Sequence, residues 1–530
     1  MRRTLALLLL LAPLTTALAQ ALPRELDAVV QRTMATFEVP GVAIAVVKDG
    51  KVVLAKGYGV RKLGETTPVT PDTLFGIASN TKAFTAAALA MLVEEGKLQW
   101  DDRVIDHLPS FQMYDPYVTR ELTVRDLLVH RSGLGLGAGD LLYFPASTYT
   151  EEEIVSKLRH IRPASSFRDR YAYDNILYLV AGKVIEKASG QRWGDFIRER
   201  IFTPLAMKSS NTSVGDFRPG ANVATPHAKA EGRLRPIEPM RFDNNAPAGA
   251  INSSVKDLTH WMLVQLARGA LPGGDGMKRL FSEKQSREMW SAQTVLPLSE
   301  PSKPLAALHP NFAAYGLGWS LRDYRGHKLV THTGGLPGYV SRVLLVPSLN
   351  LGIAVLTNQE ARGGFEAPTF AILDAYLGAP RTDWVAAFKA ADEEKTKKAE
   401  LAVSEKRTAR STESKPSLPL GSYVGTYRDA WYGDAAISQE GERLVLRFLR
   451  TPALTGELEH WQYDTFIARW RDRTLNADAF VTFSLKPDGS LEQMKMQPVS
   501  PLTDFSYDFQ DLLFTPVKQA GGEAVTQARP

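Results

Sequence analysis

The sequence predicts an α+β domain followed by a small all-β barrel or sandwich, and three observations carry that expectation. Strand-like runs stand at both ends of the stretch from Leu22 to Gly378, a long apolar helix lies between them, and short alternating strands follow Leu418. A chain of 530 residues also exceeds the usual size of one domain.

Each element can be justified in chain order. Residues 1–19 read as a removable export signal: Arg2 and Arg3, the apolar run Leu5 to Leu14, then Ala17-Leu18-Ala19 as a small-x-small cleavage site. That run is shorter than the roughly 20 residues a membrane anchor needs. The general secretory route is preferred over the twin-arginine one, because two basic residues are what any secretory signal carries. "GVAIAVVKDGKVVLAKGYG" gives two strands around Asp49-Gly50, a strong hairpin signal. Ala83 to Val93 is helical by length and Ala/Leu content and apolar nearly all round, which predicts a central buried helix. Val343 to Val346 and Leu351 to Leu356 are two more strands, turning at Pro347 to Asn350. One sheet is therefore expected, with its edges supplied by the two ends of this domain, residues 22–380.

Arg381 to Lys415 holds nine basic and seven acidic residues and reads as a solvated helix fraying into a linker. The strands "SYVGTY", "DAAISQ", "RLVLRF", "FIARW", "FVTFSL" and "LEQMKMQPV" then describe the small β domain, over residues 416–518. Its aromatics, among them Tyr423, Tyr427, Trp431, Tyr432, Trp461, Tyr463 and Trp470, are read as core packing rather than as a sugar- or peptide-binding surface. Residues 519–530 are expected to be a disordered tail.

Composition narrows the function classes. With no cysteine, thiol catalysis and Cys-ligated metals are excluded. The net charge of +5 falls to +3 once Arg2 and Arg3 leave with the signal, too small a bias to imply nucleic acid. The expected product is exported, periplasmic or extracellular, and has no membrane span after cleavage.

Chemistry enters with Ser79-Asn80-Thr81-Lys82. A serine needs a base near its hydroxyl to attack a carbonyl, and a lysine three residues along a helix lies on the same face. A helix beginning at Ser79 would also favour an anion developing there, and burial would lower the lysine's pKa toward its base-competent form. The bland alternative is a serine cap with a surface lysine, and Ser253-Ser254-Val255-Lys256 matches the same pattern. Order along the chain separates the two. Among the 17 tyrosines only Tyr173 begins a Tyr-x-Asn triplet, Tyr173-Asp174-Asn175, and only His332-Thr333-Gly334 is a basic-Thr-Gly triplet. The trio S-x-x-K, Y-x-N, H-T-G can be read from Ser79, whereas from Ser253 its middle member is missing.

That ordered trio resembles the signature of the penicillin-recognising serine hydrolases, in the branch of class C β-lactamases, DD-peptidases and esterases. The resemblance spans Leu22 to Gly378 and extends to "LTVRDLLVHRSGL", "APAGAINSSVKDLTHW" and "YGLGW". It implies a β-lactamase/transpeptidase-like fold, an antiparallel sheet with helices on both sides plus an all-helical region, and a C-terminal β domain of the kind often appended to these hydrolases. It further implies Ser79 as acylated nucleophile, with Lys82 as its base or as the group that keeps Tyr173 deprotonated. Tyr173 would shuttle the proton to the leaving group. Asn175 would bond the substrate's amide carbonyl and hold Lys82. The strand after His332 would lie beside the substrate, with the N–H groups of Ser79 and Gly335 as oxyanion hole. His130 is read as a loop-packing residue. No metal or organic cofactor is implied.

One departure bears on substrate. β-Lactamases of the family present Lys-Thr-Gly, whose charge meets the drug's carboxylate, and His332 stands there instead. A histidine is mostly neutral at pH 7 and makes a weaker anchor. The expectation is therefore hydrolysis of amides or esters, such as D-amino-acid peptides, cell-wall peptides or small esters, with β-lactam hydrolysis behind it. A sensor that acylates on penicillin or muropeptides without turnover is the rival from another class.

Overall fold

The computed structural model describes residues 22–271 and 278–517. The export signal expected over residues 1–19 and the tail over 519–530 lie outside the described residues.

The first domain is built on an eight-stranded antiparallel sheet. Its strands are β1 (Gly41–Lys48), β2 (Lys51–Gly59), β3 (Thr294–Val295), β4 (Ala313–Tyr315), β5 (Ser320–Tyr324), β6 (His327–Leu336), β7 (Tyr339–Val346) and β8 (Leu351–Thr357), in the spatial order β2-β1-β8-β7-β6-β5-β4-β3. The expected hairpin turns at Asp49-Gly50, both with positive φ. The sheet edges differ from the expectation. Strand β8 pairs along β1 from Val42↔Thr357 to Lys48↔Leu351, so the two ends of the domain meet inside the sheet and the edges are β2 and β3. The physical reason is burial on both faces: Val42 to Val47 and Leu351 to Leu356 are continuous apolar runs, which suit interior strands. On β2 the exposed Val52 and Val53 mark an edge.

Alternation divides the core in two. Ala43, Ala45, Val47, Ala354 and Leu356 face one cluster, which holds α2 (Thr81–Glu94), α3 (Ile176–Ser189) and α4 (Val255–Leu266). Val42, Ile44, Val46, Ile353 and Val355 face the other, covered by α1 (Leu26–Phe37), α5 (Arg362–Leu377) and the start of α6 (Trp384–Thr408). Residues Thr81 to Leu92 of α2 are all buried, so it is the central helix its composition predicts. Helix α6 is longer than expected of a fraying segment. It buries only Trp384, Val385, Phe388 and Ala399 and carries an i,i+4 pair, Glu394–Lys398, on its solvated side.

The C-terminal domain is a closed eight-stranded barrel, β9 (Gly425–Asp429), β10 (Gly433–Glu440), β11 (Arg443–Phe448), β12 (Thr455–Gln462), β13 (Thr465–Trp470), β14 (Ala479–Leu485), β15 (Leu491–Pro498) and β16 (Leu513–Pro516), each paired with the next and β16 with β9. Tyr423, Tyr427, Trp431, Tyr432 and Trp470 are buried in or against it, as a core reading requires, while Tyr463 is exposed.

Candidate active site

Ser79 sits in a tight turn. Ala78, at φ 49°, adopts the left-handed conformation that non-glycine residues rarely take, and one 3₁₀ turn, Ala78–Asn80, precedes α2. The α-helix thus starts at Thr81 rather than at Ser79. The turn is tied to the sheet: Ser341 Oγ on β7 donates to the Ile77 carbonyl at 2.7 Å and accepts from Asn80 Nδ2 at 2.8 Å. Strand β6 packs on it so closely that a Cβ on Gly334 would stand 2.1 Å from the Ile77 oxygen. Only glycine permits that approach.

Lys82, one turn along, is fully buried. Its Nζ donates to Ser79 Oγ at 3.0 Å, Asn175 Oδ1 at 2.7 Å and the Ala248 carbonyl at 3.0 Å. Burial lowers its pKa to about 7, against the opposing pull of Asp140 and Asp174. The Tyr173 hydroxyl donates to Ser79 Oγ at 2.8 Å, and burial pushes its pKa well above the ordinary tyrosine value. Burial thus favours the phenol form of Tyr173 and brings the uncharged form of Lys82 within reach.

Asn175 occupies the N-cap position of α3 but makes no side-chain capping bond. Its amide is turned instead between Lys82 and Asp140 Oδ2, which accepts from Nδ2 at 2.9 Å. The second S-x-x-K meets the bland alternative only in its lysine: its own serine, Ser253, is buried with its Oγ 2.8 Å from Ser210 Oγ, and the neighbouring serine is the cap. Ser254 caps α4 by accepting from the Asp257 N–H at 3.2 Å, and Lys256 pairs with Asp72 on the surface.

His332, Thr333 and Gly335 line the cleft, and all lie within β6, the strand directly before β7. The His332 ring is buried, with Nε2 2.7 Å from the Tyr315 hydroxyl and Nδ1 2.6 Å from the Thr333 carbonyl. Burial and the nearby Lys82 charge drop its pKa to about 3, so it is uncharged at neutral pH. His130 is buried, accepts from the Asp174 N–H at 3.2 Å, and packs at 4.3 Å and 4.5 Å against the rings of Tyr173 and Tyr315.

The cleft over Ser79 has a volume of about 310 Å³, and none of its lining residues is a lysine or an arginine. Two sets of lining residues were not expected. Asp140 is one; it follows the glycine-rich "GLGLGAG", which reads as loop and gives no sign of a buried acid. Asp504, Phe505 and Ser506 are the other, brought from the barrel to a cleft that includes Asp140, 366 positions from Ser506.

Comparison with known proteins followed the same division of the chain. Residues 26–377 match the family described as Beta-lactamase, and residues 409–516 match a domain of unknown function, DUF3471. The chain is similar to the unguisins hydrolase ungD' of Aspergillus campestris (strain IBT 28561), 32% identical over 80% of this chain and 79% of that protein. Among solved structures, the octameric penicillin-binding protein homologue from Pyrococcus abyssi aligns with a TM-score of 0.58 and 24% identity, over 92% of this chain and 99% of that one. The D-amino acid amidase from Ochrobactrum anthropi SV3 aligns with a TM-score of 0.55 and 23% identity, over 67% of this chain and 100% of that one. Both structures share the fold.

Proposed function

The chain belongs to the Beta-lactamase family, and from that premise we propose that it is a serine hydrolase cleaving amide or ester bonds through an acyl-enzyme on Ser79. One observation carries the reading: Ser79 Oγ, in the cleft, accepts from both Lys82 Nζ and the Tyr173 hydroxyl. Lys82, once it has lost the proton it donates to Ser79 and its lone pair faces Oγ, takes the Ser79 proton as Oγ attacks the carbonyl carbon. The N–H groups of Ser79 and Gly335 receive the oxyanion, and the second Nδ2 hydrogen of Asn175 is free for the substrate carbonyl. Tyr173 gives its proton to the leaving nitrogen or oxygen and regains one from Lys82. Water then attacks the ester on Ser79, with the same groups acting in reverse, and releases the acid.

Two observations order the substrates. Among the described residues no lysine or arginine lines the cleft, and His332 is neutral. A substrate whose recognition depends on a carboxylate, as a β-lactam's does, therefore finds no cation opposite it. Amides and esters without that requirement come first, including those next to a D-amino acid, and the relative named as a hydrolase supports hydrolysis as the outcome. Export, on the strength of the leader-like residues 1–19, is part of the same proposal.

A panel of p-nitrophenyl esters, D-aminoacyl anilides, D-Ala-D-Ala peptides and a chromogenic cephalosporin, run on wild type and Ser79→Ala, tests it. We expect turnover of an ester or anilide well above the cephalosporin, and a loss of at least about 1000-fold in Ser79→Ala. Full activity in the variant overturns the nucleophile. A cephalosporin rate near that of the best ester overturns the substrate order, and a stable adduct without turnover favours the sensor.

A further inference from the structure

One buried acid at the cleft has no part in that chemistry. Asp140 is fully buried, and its Oδ1 accepts from the Tyr143 hydroxyl. Its Oδ2 accepts from Asn175 Nδ2 at 2.9 Å and from Ser506 Oγ at 2.8 Å. Ser506 belongs to the barrel, in the segment between β15 and β16. Two residues on, the barrel's buried Asp508 accepts from the N–H groups of Gly139 and Leu141, at 2.7 Å and 3.1 Å, on either side of Asp140. One barrel segment thus grips both the carboxylate of Asp140 and the backbone that carries it.

The consequence follows from donor and acceptor chemistry. Lys82 donates to the Asn175 carbonyl oxygen, so the end of the amide that faces Asp140, whose pKa burial raises to about 7, is the NH₂ end. Oδ1 is then turned to Lys82, where it accepts at 2.7 Å. Loosening Asp140 frees Asn175 to rotate, and Lys82 loses one of the two acceptors, Asn175 Oδ1 and the Ala248 carbonyl, that aim it at Ser79.

We propose that Asp140 is a positioning residue for Asn175 and, through it, Lys82, and that Ser506 and Asp508 make the barrel an integral wall of the active site. This rests on the reading of Ser79 and Lys82 as the chemical groups. The charged and titratable groups facing Lys82 are Asp140, Asp174, Tyr173, Tyr178, His130 and His332. Those facing Asp140 are Tyr143, Asp508 and Lys82. Of the groups around Lys82, Asp140 and Asp174 hold its pKa up. Removing the Ser506 hydroxyl favours the protonated form of Asp140, and Asp140→Asn removes its charge outright. Either change lets the pKa of Lys82 fall further.

The test uses the full chain and the best ester of the panel. Ser506→Ala, Ser506→Thr and Asp140→Asn are compared with wild type for kcat, KM, the pH midpoint of the acid limb of kcat/KM, and melting temperature. We expect Ser506→Ala and Asp140→Asn to lower kcat by about 10- to 100-fold, as a misplaced catalytic group does, with KM little changed. The acid limb should move to lower pH, and Ser506→Thr, which keeps the hydroxyl, should restore both. Ser506→Ala deletes a single hydroxyl, so it remains decisive even if Asp140→Asn does not fold. A Ser506→Ala enzyme with wild-type kcat and pH midpoint overturns the proposal, as does an equal loss in Ser506→Ala and Ser506→Thr. Activity surviving in Ser79→Ala would instead remove the underlying reading, so the two failures are distinguishable.

Discussion

Lys82 shows how burial converts an ordinary cation into a base. Its pKa of about 7 comes from desolvation, partly offset by Asp140 and Asp174. In the proposed chemistry the uncharged form is active, so kcat/KM should rise with pH through about 7. A profile flat from about pH 5 to 9 would contradict that role. His332 yields a stability prediction of the same origin. Its pKa falls from 6.5 to about 3 on folding, so below 6.5 the unfolded chain binds a proton that the folded protein refuses. The associated stability is fully present above 6.5 and is lost as pH falls toward 3. His332→Gln removes the titrating ring, and the drop in melting temperature between pH 7 and pH 4 should be smaller than in wild type. An unchanged drop would mean that the acid sensitivity lies elsewhere. Ser79, Lys82, Tyr173 and Asn175 are legible as a group because their order along the chain is distinctive. Asp140 is not, since an acid's burial depends on what covers it and its own neighbours in sequence are turn formers.

Elements place these residues, and β6 packs tightly on the Ser79 turn. A Cβ at Gly334 would meet the Ile77 carbonyl at 2.1 Å and Ser341 Oγ at 2.6 Å, whereas one at Gly335 would meet nothing within 4 Å. Gly334→Ala must push β6 off the turn, at a cost of about 1–3 kcal/mol, and lower kcat with it. Gly335→Ala should leave denaturant stability near wild type while changing KM, because its methyl enters the cleft. Equal effects of the two on stability would contradict the packing described. At this scale the hairpin, α2 and most barrel strands are legible from alternation and length. The sheet edges are not, because chain order does not fix strand order. Two barrel strands also escape a reading by pattern: β12, "TGELEHWQ", is largely polar, and β16 has only four residues.

The whole molecule joins barrel and hydrolase domain by more than the Ser506 and Asp508 bonds. Arg450 forks onto Glu153 at 3.0 Å and 2.7 Å, and the Tyr149 hydroxyl donates to the Tyr432 carbonyl. The Arg450–Glu153 pair is about one-third exposed and contributes little on its own, at most about 1 kcal/mol. The buried bonds are what couple the domains, because breaking one strands a desolvated partner. Calorimetry should therefore record one cooperative transition for the full chain, and two well-separated transitions would contradict the coupling. None of this is legible in the sequence, since Asp140 and Ser506 stand 366 positions apart and neither lies in a local motif.

The central claim is that Ser79 is acylated, and rapid quenching with a p-nitrophenyl ester followed by mass spectrometry and peptide mapping tests it most directly. The account predicts one acyl group on the peptide carrying Ser79, formed and lost at rates that match turnover and absent from Ser79→Ala. An acyl group mapped to Ser253, or turnover with no adduct on Ser79 while Ser79→Ala stays active, would contradict it.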